Sequence, residues 1–69
     1  MSDDTDPAYE RLVVEHRELC EKMEKLDAFL KKGKPSFVSQ HQWNLMGHQL
    51  TAMEEYAEIL SERITYWGE

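Results

Sequence analysis

Residues 39–67 hold one long stretch free of proline, with Gly47 as its only glycine, and that stretch carries two apolar stripes. Trp43, Met46, Leu50, Met53, Ala57, Leu60, Ile64 and Trp67 follow one another at spacings of three and four. Such spacing lines one side of an α-helix and makes a seam for a packed partner. A second line runs beside it through Leu45, Gln49, Ala52, Tyr56, Ile59, Arg63 and Tyr66. It is apolar except at Gln49 and Arg63. One short partner helix covers one stripe and leaves the other bare. The pattern therefore predicts a helix that packs within its own chain and again between chains.

The partner is legible upstream. Asp6-Pro7 reads as a helix start, because Asp accepts a hydrogen bond from a free backbone N–H and proline loses nothing at the first helical position. Tyr9, Leu12, His16, Leu19, Met23, Leu26 and Leu30 then repeat at three and four. Glu10 suits the positive end of this helix, and Lys31 and Lys32 suit the negative end. Glu18–Lys22 and Glu21–Lys25 have the spacing of supporting ion pairs. Gly33 fits the left-handed position past the helix end, and Pro35 stops any continuation. Ser39 with Gln42 three residues on has the spacing of a capping box, and Val38 and Trp43 are placed for a hydrophobic staple.

These signals predict an all-α chain made of two long antiparallel helices joined in a hairpin, with a flexible N-terminus over 1–6, helix 1 over 7–32, a loop over 33–38 and helix 2 over 39–67. A chain of 69 residues has room for one domain with a thin core. Cys20 is its only cysteine, so no disulfide closes within it. Oligomerisation is the remaining way to bury the second stripe, and a homo-oligomeric helical bundle is the expected state.

Charge narrows the partners. The formal net charge of −6 opposes binding to polymeric nucleic acid, whose affinity comes from many phosphate contacts. A small phosphate ligand needs only two or three local cations. No apolar run has the length of a membrane span, and the acidic start is unlike a signal peptide, so a cytosolic location is expected.

Two constellations could carry ligand chemistry. Arg11, Lys22 and Lys25 fall near one line of helix 1, with Tyr9 beside its start. They read either as a solvated face balanced by Glu15, Glu18 and Glu21, or as cations for a phosphate beside a ring that stacks on a base. Arg63 interrupts the second stripe among Tyr56, Ile59 and Tyr66. It either lays its stem along an interface or faces a ligand there. His41 and His48, seven apart, lack the spacing and the companions of a metal site. Cys20, next to Glu21, lacks an adjacent basic residue and reads as a small apolar side chain. No nucleophile with a base, no Gly-rich phosphate loop and no carboxylate pair suggests catalysis. Neither a cofactor nor a metal is expected.

The segment Arg11-Leu-Val-Val-Glu15, followed by Glu18-Leu19 and Glu21-Lys22-Met-Glu-Lys25-Leu26-Asp-Ala-Phe29-Leu30, resembles a family of small phage helical-hairpin proteins. So does Leu50-Thr-Ala-Met53-Glu-Glu-Tyr56-Ala-Glu-Ile-Leu60-Ser-Glu62-Arg63-Ile64. The family includes the anti-CBASS sponge, which sequesters cyclic oligonucleotide messengers of bacterial antiphage immunity. The resemblance covers most of the chain, from about Ala8 to Trp67. It implies a hexamer of hairpins without catalytic activity, acting in the cytoplasm of the infected bacterial host. It implies cyclic dinucleotides in pockets where protomers meet, with a ring on the base and a Lys near the ligand. Larger cyclic trinucleotides would use separate sites with an Arg of the second helix. Lys25 matches the ligand Lys and Arg63 the second-helix Arg. The family's stacking aromatic falls at Glu10, one residue from Tyr9, and Asp27 stands where the family has a polar contact. A reading from another class is a non-enzymatic helical module that binds a phage or host protein through the second stripe.

Overall fold

The computed structural model describes residues 6–68. Two helices, α1 (Pro7–Lys31, 25 residues) and α2 (Gln40–Thr65, 26 residues), lie against each other as a hairpin. Each ends slightly short of the span that the spacing predicts, because Lys32, Ser39 and Tyr66 serve as caps. Asp6 is the N-cap of α1, as its place before Pro7 predicts; the remainder of the flexible N-terminus expected over 1–6 falls on residues 1–5, outside the described residues.

The caps follow from the sequence. The Asp6 carboxylate accepts from the Ala8 N–H at 2.9 Å, and Ser39 Oγ accepts from the Gln42 N–H at 3.1 Å. Past α1, the Gly33 N–H donates to the Leu30 carbonyl at 3.2 Å while Gly33 holds φ at 92°, a conformation a side chain would strain. Lys34 Nζ then donates to the Val38 carbonyl at 2.7 Å and braces the loop.

The core is Leu12 and Leu19 of α1 against Ala57 and Leu60 of α2, with Met23, Met53 and Ile64 packed around them. All belong to the two predicted seams. They sit in the half of the hairpin that carries the chain ends. Towards the loop, Phe29 meets Trp43 at 6.0 Å between ring centroids, and Leu26, Leu30, Met46 and Leu50 are only half-buried.

The second stripe stays bare, with Leu45, Tyr56, Ile59 and Tyr66 all exposed. Tyr56 is tied across the hairpin: its hydroxyl donates to the Glu15 carboxylate. Among the described residues, the ion pair formed is Asp27–Lys31 at 2.9 Å; Glu18–Lys22 and Glu21–Lys25 do not close, contrary to the expectation from their spacing. Both expected pairs lie on solvated helix surface, where pairing adds only a few tenths of a kcal/mol against side-chain entropy.

Gly47 lies inside α2 with open space where a Cβ would sit. Gly47→Ala should therefore raise stability by about 0.5–1 kcal/mol through helix propensity alone. Chemical denaturation followed by circular dichroism measures it, and a loss of stability would mean that the notch at Gly47 is occupied in solution.

Candidate functional site

The open end of the hairpin builds a cleft from the last turns of α2. Ile59, Glu62, Arg63, Tyr66, Trp67 and Gly68 line an open depression of about 740 Å³. Its placement follows from helix geometry. Ile59, Arg63 and Tyr66 are three and four apart on one side, and the turn after Thr65 folds Trp67 and Gly68 over the end. The Trp67 N–H bonds back to the Ile64 carbonyl at 3.3 Å, and Gly68 takes φ of 91°.

Tyr9 fixes one wall. Its ring meets Trp67 edge to face, with centroids 5.4 Å apart and planes at 62°. Tyr9 thus clamps the two ends of the hairpin together and stands next to the Arg63 cleft. It does not stand near Lys25. The two residues are separated by about 24 Å along α1 at 1.5 Å per residue, so Tyr9 and Lys25 can share a ligand only if a second chain is involved.

The cationic line of α1 is similarly resolved. Arg11, Lys22 and Lys25 are all exposed. They share a side of the helix, yet Arg11 lies about 16 Å along the axis from Lys22, so only Lys22 and Lys25, one turn apart, can act on one phosphate. Asp27 beside them is bonded to Lys31. The hydrogen bond and the charge of Asp27 hold the pKa of the exposed Lys31 ammonium above its ordinary value. Asp27 therefore faces any anion with its charge already partly balanced.

The cleft itself combines a guanidinium with two aromatic rings and an aliphatic wall. Such a set can bind a phosphate through Arg63 and lay a planar base on a ring. Glu62 at its edge can accept from a base amino or sugar hydroxyl group. Sequence reasoning singled out Arg63 but left Trp67 as a seam residue and Tyr66 as a stripe residue. Their positions three and four after Arg63 were the available signal. It also missed His16 beside Cys20, one helical turn back: Sγ lies 3.8 Å from Nε2 and 4.0 Å from Nδ1. The expectation that Cys20 lacks a basic neighbour came from adjacent residues alone and is corrected by this i,i+4 contact. Among the described residues, no three His, Cys, Asp or Glu side chains gather as a metal site, and no helix is long and apolar enough to cross a membrane.

A family model described as Sequestin matches residues 6–66. The chain belongs to the Sequestin family. The match spans both helices, the loop and the cleft residues up to Tyr66. The Sequestin name fits the cyclic-oligonucleotide sponges that the two helices resemble, and it denotes a binding role. No curated protein and no solved structure matches the chain.

Proposed function

We propose that this chain is a phage immune-evasion protein that binds and holds cyclic oligonucleotide second messengers without cleaving them. Sequestration lowers the free messenger below the level that activates a CBASS-type effector in the infected bacterial cytoplasm. The observation that carries the reading is the Sequestin match along nearly the whole hairpin. The cleft adds chemistry suited to such ligands, a guanidinium beside aromatic rings.

In this reading the protein works as a homohexamer. Cyclic dinucleotides lie between protomers, with Lys25 and Lys22 on phosphate and Tyr9 of another chain against a base. Cyclic trinucleotides use the Arg63 cleft. Arg11 steers the anion from the same side of α1. Capture needs affinity and copy number and no turnover. Ligand held between chains also stabilises the assembly by mass action.

Calorimetric and thermal-shift titration against a panel of cyclic di- and trinucleotides tests this directly. Saturable binding, a raised melting temperature and intact ligand after denaturation are expected. Absence of binding across the panel would remove the proposal. The exposure of Phe37, 84% on the loop, and of the second stripe supports one other reading, a helical module for a protein partner. That reading predicts a captured protein and no response of the melting temperature to any cyclic nucleotide.

A further inference from the structure

The Arg63 cleft has two unlike rims, set by where its residues fall around α2. At about 100° per residue, Tyr66 lies about 20° and Glu62 about 60° to one side of Ile59, while Arg63 lies about 40° to the other. All four line the same open depression. Ile59 and Tyr66 thus make its floor, with a carboxylate on one rim and a guanidinium on the other. Trp67, held by the Tyr9 ring, closes the helix end. We infer that Glu62 makes this cleft selective for guanine: its carboxylate accepts from the ring N1–H and the exocyclic amino group of a base laid on the aromatic floor, while Arg63 holds a phosphate of the same ligand. The inference rests on the nucleotide reading of the cleft and adds to it the base that is taken.

Glu62 is the group in the cleft that can tell one base from another. Every base has a π face, so stacking on Tyr66 or Trp67 tolerates any of them. Phosphate is common to all cyclic oligonucleotides, so the Arg63 bond carries no information about the base. Glu62 is the other charged residue of the lining, and an ionised carboxylate only accepts hydrogen bonds. Guanine offers it two adjacent donors. Adenine and cytosine each set an amino group beside a ring-nitrogen lone pair, which a carboxylate repels. Uracil has a single N–H between two carbonyl groups. Guanine alone matches both carboxylate oxygens.

Helix geometry leaves that carboxylate open to a ligand. Consecutive residues of a helix do not face each other, so Glu62 and Arg63 stand apart across the floor instead of closing on one another. The positions three and four away from Glu62 hold Glu58, Ile59, Thr65 and Tyr66, so α2 sets no cation at pairing distance. Arg63 is the one Lys or Arg of residues 53–65, which also hold Glu54, Glu55, Glu58 and Glu62. Such a surround favours an edge rich in N–H donors over further phosphates.

Calorimetric titration of the full chain with cyclic triguanylate and cyclic triadenylate tests it. The wild type is expected to bind the guanine ligand roughly 5- to 150-fold more tightly, the discrimination of one bidentate side-chain–base pair. Cyclic tri-inosinate, which keeps N1–H and lacks the amino group, should fall between the two. Glu62→Gln is expected to lose the preference and favour adenine, because an amide both donates and accepts and so matches the amino group and ring nitrogen of adenine. Glu62 is exposed, so helicity should be unchanged in this variant. Equal binding of the two trinucleotides by the wild type, tighter binding of the adenine ligand, or an order that Glu62→Gln leaves unchanged would overturn the inference while sequestration stands. Binding of cyclic dinucleotides alone would overturn it together with the ligand role of the cleft. Failure of every cyclic di- and trinucleotide to bind would overturn sequestration itself and the inference with it.

Discussion

Leu60→Asp is expected to leave the chain without a cooperative unfolding transition. Leu60 is fully buried at 0% exposure, packed among Leu12, Leu19 and Ala57. Shortening it to alanine should already cost about 2–5 kcal/mol, the usual range for a buried leucine. A domain this small has little more than that in reserve, roughly 5 kcal/mol. An ionised carboxylate at the same point adds desolvation with no buried cation to offset it. Far-UV circular dichroism with heating reads the result. The neighbouring Ile59→Asp should behave oppositely. Ile59 is exposed on the bare stripe, so this variant should keep its helicity at high dilution and lose self-association. Equal melting curves for Leu60→Asp and the wild type would show that the core lies elsewhere.

The second large effect separates two ligand sites. Arg63 lies in the open-end cleft, whereas Lys25 projects from the loop-side half of α1. Within one hairpin they are about 20 Å apart by helical rise. Removing a cation that bonds a phosphate costs about 1.5–3 kcal/mol, which is roughly 10- to 100-fold in affinity. Arg63→Ala should therefore weaken cyclic trinucleotide binding by that factor and spare cyclic dinucleotides. Lys25→Ala should do the reverse. Neither residue is part of the core, so helicity should be unchanged. Equal losses of both ligand classes in either variant would show a single shared site. Dissociation of the assembly in either variant would assign that residue to packing.

Much of the fold was legible because it depends on local rules. The three-and-four spacing of Leu12, Leu19, Ala57 and Leu60 located the core residues, and Asp6, Gly33 and Ser39 marked the helix ends through the backbone groups they satisfy. The surplus stripe through Leu45, Tyr56, Ile59 and Tyr66 was also readable, and it is exposed. What escaped were contacts set by the register of one helix against the other. Periodicity fixes which side of each helix faces inward, but not how far one slides along its neighbour. The Tyr9–Trp67 clamp and the Tyr56–Glu15 bond depend on that slide. So does the concentration of burial towards the open end, where Leu12, Leu19, Ala57 and Leu60 meet while Phe29 and Trp43 occupy the loop side. Arg63 was recognisable as an interruption of an apolar line. The cleft around it required the turn that places Trp67 and Gly68 over the helix end.

Sequestration requires that ligand and assembly be seen together and that the ligand remain whole. A native mass spectrum of the wild-type chain, recorded with and without a mixture of cyclic dinucleotides, measures both. The expected result is a hexamer that gains mass in steps of intact cyclic dinucleotide and releases the same mass on denaturation. A hexamer or monomer that gains nothing, or a released product of lower mass or opened ring, would contradict sequestration without cleavage.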